Sequence, residues 1–258
     1  MWLLFDFLFI IFGVFYIPVF LVKIRQATDS KRLFLDRCGF YSADVAAQLK
    51  QRRVIWIHAV SVGEVLAIRA FLELLYARFS EHVIVLSTVT PTGNRIARTT
   101  VGEKAVIIYF PFDVHWITER VVSALHPEII LLAETEIWPN LIMTAHRRNI
   151  KIAVINGRIS SRSFRRYYQI QNIMAPVMKK IALFLVQTAA YAKRLKKIGV
   201  KPERIVVTGN MKYDTVNISH DTVADGNRIK EKIGFAKETS VLVAASTHRG
   251  EEKLILSV

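Results

Sequence analysis

The sequence predicts an α/β protein built on a parallel sheet, and three observations carry that expectation. Seven short, near-continuous apolar runs recur along the chain, the mark of strands buried on both faces. Segments with apolar residues at helical spacing separate them, as parallel crossovers require. Several of the runs end in hydroxyl, amide or acidic residues, which collects polar chemistry on one edge of the sheet.

The elements follow in chain order. Residues 1–22, MWLLFDFLFIIFGVFYIPVFLV, are almost wholly apolar and long enough to cross a bilayer as a helix. Asp6 and Pro18 interrupt them, and Lys23, Arg25, Lys31, Arg32 and Arg37 follow them. Charge after the apolar run argues against a secretory signal and, by the positive-inside rule, keeps the rest of the chain in the cytoplasm. A membrane anchor is expected there, spanning the bilayer or lying in its interface. The first strand, residues 53–59 (RVIWIHA), is rich in β-branched and aromatic residues. HAVSVGE, residues 58–64, joins it to a helix running on from Glu64, with Val65, Ile68, Leu72, Leu75 and Tyr76 near one side.

Further strands are expected at residues 82–88, 104–110, 128–134, 151–157, 181–187 and 204–209. Residues 213–226 are polar, lack periodicity and read as a linker. Residues 238–258 read as a buried strand, a polar turn and the opening of a helix. The expected organisation is an anchor at 1–22, an α/β domain at 23–212, a linker at 213–226 and the start of a second α/β unit at 227–258. A helix that has only just begun makes the chain read as truncated.

A net charge of +15 and a pI near 10.1 call for an anionic partner, whether nucleic acid, phospholipid or a phosphorylated small molecule. No nucleic-acid-binding motif accompanies the charge, so that partner is not expected. Cys38 is the only cysteine, which excludes an intrachain disulfide and a cysteine-based zinc site. His58, His126, His146 and His248 lack metal-ligand spacing, and no metal is expected. The glycine-rich dinucleotide fingerprint and the Walker lysine loop are both missing.

The rim chemistry is the informative part. Glu64 follows the first strand; Thr92 and Gly93 follow the second; Glu134 and Glu136 follow the fourth. Arg158 follows the fifth and Lys212 the seventh. Carboxylates beside hydroxyl and cationic groups suit general-base work on a hydroxyl near an anionic donor. Ser61 and Glu64 also form a Ser-x-x-Glu capping box, so a cap and a functional acid are both open readings of Glu64. Its place at a strand end favours the acid. Helix N-terminal pairing is the plainer reading of Glu134 and Glu136, and a solvated surface that of Lys212.

Taken together and in order, HAVSVGE, TPTGNRIA, PFD, AETEIWPN, INGRIS, GNMKYD and STHRGEE resemble the Kdo transferase family of lipopolysaccharide biosynthesis, the 3-deoxy-D-manno-octulosonic acid transferases. The resemblance implies a GT-B glycosyltransferase. An N-terminal Rossmann-like domain holds the acceptor there, and a second Rossmann-like domain, of which only the start is present here, holds the donor. It also implies attachment to the cytoplasmic face of the inner membrane, with its anionic surface as a partner. The implied reaction is inverting transfer of Kdo from CMP-Kdo, the donor substrate, to a lipid A precursor (lipid IVA), with no cofactor and no metal.

By the resemblance, Glu64 matches the proton acceptor, and Glu134 and Lys212 match positions that stabilise the transition state. Ser61, Gly63, Thr92, Gly93, Glu136, Asn140 and Arg158, in the same motifs, are the candidate substrate-binding residues. With most of the donor half missing, the chain alone is expected to bind acceptor or membrane and to transfer Kdo poorly. A non-catalytic acceptor-binding remnant is the alternative.

Overall fold

The structure is a computed structural model that describes residues 5–7, 9, 11, 30–215, 221–236 and 238–256. The apolar runs become β1 (Arg53–His58), β2 (His82–Thr88), β3 (Ala105–Tyr109), β4 (Pro127–Ala133), β5 (Lys151–Gly157), β6 (Leu183–Val186) and β7 (Ile205–Val207). They form one sheet in the order β3-β2-β1-β4-β5-β6-β7, and every neighbouring pair is parallel. Trp56 on β1 therefore stands beside Val85 on β2 and Ile130 on β4, although Val85 and Ile130 are 45 positions apart in the chain.

Helices α1 (Ser30–Arg37) and α2 (Ala43–Leu49) precede the sheet, and Ser42 caps α2 by accepting the Val45 N–H at 3.4 Å. The crossovers carry α5 (Pro91–Val101), α6 (His115–Leu125), α7 (Pro139–Arg147), α8 (Ser161–Gln169), α9 (Gln171–Met178) and α10 (Ala189–Ile198). The helix expected to run unbroken from Glu64 is two helices, α3 (Val62–Ala67) and α4 (Arg69–Arg78). They part at Ile68, whose backbone at φ −90°, ψ 3° leaves helical geometry. The break lets α3 pack on α5 while α4 keeps Leu72 and Leu75 buried on the sheet.

Alternation along each strand divides the core into two layers. Trp56, Val85, Ile130, Val154 and Phe184 face α2, α6, α7, α9 and α10. Ile57, Leu86, Leu131 and Ile155 face α3, α4 and α5. Each such side chain, fully or almost fully buried, contributes about 1.5–3 kcal/mol, so the sheet is a rigid platform for the loops at its ends.

The anchor expected at residues 1–22 lies mostly outside the described residues. Among the described residues no helix is long and apolar enough to cross a membrane. Residues 5–7 are helical and rest on the sheet domain: Phe5 joins its core, and the ring of Phe9 meets Phe112 edge-on at 6.2 Å. Asp6, the charge that interrupts the apolar run, is only 4% exposed. Its Oδ1 accepts the His115 backbone N–H at 2.9 Å and the Asn140 side-chain amide at 3.1 Å, and its Oδ2 shares a hydrogen bond with His115 Nδ1.

The chain divides into two compact units, Met1–Thr215 and Val216–Val258. The second contains α11 (Asp221–Lys232) and α12 (Glu251–Ile255), so the stretch expected to be a linker is helical from Asp221 onward. The buried strand expected after residue 238 does not form: Val241, Leu242 and Val243 are exposed and carry no strand pairing. A parallel strand exists only through its neighbours, and no second sheet is present among the described residues.

Candidate active site at the centre of the sheet

β1 and β4 lie side by side, and their connections leave in opposite directions. The chain leaving β1 turns to the α3 layer; the chain leaving β4 turns to the α7 layer. A crevice opens at the carboxyl ends of strands where connections diverge in this way. HAVSVGE stands on one side of it and AETEIWPN on the other.

The first side is fixed by hydrogen bonds. The Ala59 N–H donates to the Ser87 carbonyl at 3.0 Å, and the Val89 N–H to the Val60 carbonyl at 3.4 Å, which ties the loop to the end of β2. Ser61 caps α3, accepting the Glu64 N–H at 3.4 Å. Glu64 reaches back: its Oε2 accepts the Val60 N–H at 2.8 Å and its Oε1 the Ser61 hydroxyl at 3.0 Å. The cap foreseen from the sequence is present, and it holds the carboxylate in one orientation. Glu64 is 8% exposed, and burial pushes its pKa up to about 7. The bonds from Val60 and Ser61 oppose that rise, and the negative charges of Glu134 and Glu136 reinforce it. A carboxyl group that ionises near neutrality is the protonation range a general base requires.

The second side carries backbone strain. Glu134 has φ +57°, the left-handed region that a glutamate seldom occupies, and its N–H donates to the Ile155 carbonyl at 2.9 Å. Glu136 is half-buried, and burial followed by the charge of Glu134 raises its pKa. Asn156, at φ +52° near the end of β5, is buried. Its Oδ1 accepts the Met211 N–H at 3.1 Å and so holds the turn that bears Lys212. That 3₁₀ turn, Met211–Thr215, packs on α3 and α4. The cation is thereby brought to the helix that begins with the Glu64 cap.

The remaining candidates divide. Gly93 is buried against the same loop: a Cβ there would meet Thr90 Oγ1 at 2.8 Å and the Val60 carbonyl oxygen at 3.5 Å. Its N–H donates to Thr90 Oγ1 at 3.0 Å, the cap of α5. Gly63 and Thr92 are exposed, as is Arg158, whose N–H donates to Thr135 Oγ1 at 3.0 Å. Asn140 is different. It is fully buried, with its amide nitrogen committed to the Asp113 carbonyl at 2.6 Å and to Asp6, so it has no surface to offer a substrate. Its work is structural, fastening the start of α7.

Sequence reasoning passed over Asn156 as a positioning residue and Asp113 as a cap. The signals were present as an asparagine before a glycine at a strand end and as the acid of PFD. His58 is buried and stacked on Phe110 at 3.8 Å; burial holds its pKa down to about 3. Among the described residues no group of three or more His, Cys, Asp or Glu side chains is placed to hold a metal ion.

Comparison with known proteins supplies what geometry leaves open. The family model for 3-deoxy-D-manno-octulosonic-acid transferase (kdotransferase) matches residues 33–215. A 3-deoxy-D-manno-octulosonic acid transferase of Haemophilus influenzae is 31% identical over 236 residues, covering 92% of this chain and 54% of that protein. A bifunctional glycosyltransferase/methyltransferase of Fusobacterium nucleatum is 34% identical over 216 residues, covering 82% of this chain and 33% of that protein. A solved UDP-N-acetylglucosamine 2-epimerase aligns with a TM-score of 0.46 at 14% identity, over 72% of this chain and 53% of that one. The chain spans about half the length of the Haemophilus relative. With the family model covering both sides of the crevice, from β1 to the Lys212 turn, the chain belongs to the 3-deoxy-D-manno-octulosonic acid transferase (Kdo transferase) family.

Proposed function

We propose that residues 1–215 form the acceptor half of a glycosyltransferase that moves Kdo from CMP-Kdo to a sugar hydroxyl of a lipid A precursor, lipid IVA. The observation that carries this reading is Glu64, fixed at the β1–β4 crevice with a pKa raised to about 7. As its carboxylate takes the proton of the acceptor hydroxyl, the hydroxyl oxygen bonds to the anomeric carbon of Kdo. The bond from that carbon to the CMP phosphate oxygen breaks, and CMP leaves with the electron pair. Attack from the face opposite the leaving group inverts the anomeric centre. Lys212 offsets charge developing on the departing phosphate, and Glu134 stabilises the positively charged sugar between the two bonds.

The site of action we propose is the cytoplasmic face of the inner membrane. The net charge of +15 and the exposed Phe7 and Trp116 around the Asp6 contact support attachment to an anionic bilayer surface. The reading is tested with Glu64→Gln in a protein that joins residues 1–258 to a donor domain of the same family. With CMP-Kdo and tetraacylated lipid A precursor, transfer falls by about a thousand-fold or more while the fold is kept. If transfer survives and only about 1 kcal/mol of stability is lost, Glu64 is a cap and nothing more.

A further inference from the structure

Between Glu136 and Glu203 the chain contains no Asp or Glu, yet it contains fourteen Lys and Arg residues. Almost the whole net charge of +15 thus arises in one quarter of the sequence. Within that stretch, α8 (SRSFRRYYQ) puts Arg162, Arg165 and Arg166 at i, i+3 and i+4, on one side of the helix. All three are exposed, and none is paired with a carboxylate among the described residues. Like charges at this spacing weaken a helix by about 0.2–0.5 kcal/mol per pair, a repulsion that a bound anion would relieve.

The helix is fixed in place. Ser160 caps it, accepting the Ser163 N–H at 3.0 Å, and Arg194 on α10 donates to the Ile159 carbonyl at 2.6 Å and to Ser161 Oγ at 2.9 Å. Phe164 and Tyr167 pack its other side on the core. α8 also borders the crevice. Tyr167 lies near enough to Glu136 for that carboxylate to reinforce the effect of burial, and its hydroxyl pKa is pushed up to about 12. Arg158, just before the helix, is bonded through its N–H to Thr135, between Glu134 and Glu136. Just past the arginines, Tyr168 and Ile170 are exposed, which sets apolar surface beside the charge.

We propose that Arg162, Arg165 and Arg166 bind a phosphate ester of the acceptor and thereby place its sugar hydroxyl over the crevice. The inference rests on the acceptor reading given above and adds the group that is recognised. Guanidinium forks match a phosphate in pairs, which a carboxylate or hydroxyl does not reproduce three times over. Adjoining apolar and cationic surface fits the headgroup of a phosphorylated glycolipid better than it fits a free sugar phosphate.

The test compares the wild-type chain with R162Q/R165Q/R166Q and with R165Q alone. Equilibrium binding is measured to phosphorylated lipid A precursor and to its phosphatase-treated form in neutral detergent micelles. The wild type prefers the phosphorylated form by about 30-fold; the triple variant loses that preference, and R165Q loses part of it. Phosphatidylglycerol vesicles without acceptor bind wild type and triple variant within about two-fold of each other. An undiminished preference in the folded triple variant overturns the proposal. So does a loss of vesicle binding as large as the loss of acceptor binding, which would make the helix a membrane contact. Neither binding measurement involves the donor or a transfer step, so failure of the proposed transfer chemistry is read separately from failure of the phosphate site.

Discussion

Glu64 combines the cap of α3 with the proposed general base in one carboxylate, and its protonation links the two. Its pKa is raised by burial to about 7 from an ordinary value of 4.5, so the folded state holds the proton more tightly than the unfolded chain. Stability from this group is therefore full below about pH 4.5 and declines as the pH rises to about 7, by on the order of 2 kcal/mol. Denaturant titrations across that window should show the decline, and Glu64→Gln should flatten this group's share of it. Transfer should move the opposite way, rising through an apparent pKa near 7 as the base ionises. Glu134 presents a different conflict. Its φ of +57° costs about 1–3 kcal/mol in a non-glycine residue. Glu134→Gly relieves that strain and should leave the melting temperature unchanged or raised while transfer is lost. A drop in melting temperature would show that the conformation is not a burden. Glu64 and Glu134 were both visible in the sequence as acids at strand ends. The conformation of Glu134 was not, because left-handed φ at a glutamate is imposed by neighbouring strands rather than by local preference.

The elements differ in how openly the sequence declares them. The strands could be read because each is a run of β-branched and aliphatic residues covered on both faces, which leaves an apolar signature that composition alone reveals. The break at Ile68 could not. Helical spacing continues across it, and only the competing demands of α5 and the sheet separate α3 from α4. Capping across long sequence distances was equally hidden. Asp113 Oδ2 and Oδ1 accept the N–H groups of Asn140 and Leu141 at 3.0 and 2.8 Å, so the start of α7 is satisfied by a residue 27 positions earlier. Burial pushes the Asp113 pKa up to about 7 against those two bonds, and the charge of Asp6 adds to the rise. Asp113→Ala leaves two N–H groups without acceptors and should cost about 2–4 kcal/mol in chemical denaturation. Asp6→Ala should cost about 1–3 kcal/mol and speed amide exchange at His115, whose N–H loses its acceptor. An unaltered exchange rate at His115 would mean that the N-terminal contact contributes nothing in solution.

For the molecule as a whole, the strand order determines where chemistry is possible. β1 and β4 meet only because both crossover series start from the middle of the sheet, and from there the two acids and the Lys212 turn converge. The alternation of strands and helices in the sequence indicated such a sheet, while the order of its strands needed the structure. The second unit shows the converse. TSVLVAAS has every local feature of a core strand, yet residues 240–245 are all exposed. This run has neither charge nor proline, and among the described residues it has no strand partner, which leaves it open to pairing with the same run in another molecule. Concentrated solutions of the 258-residue chain should therefore scatter light and bind thioflavin through a cross-β contact centred on Leu242. Leu242→Lys should delay that onset several-fold, without altering the melting of the sheet domain.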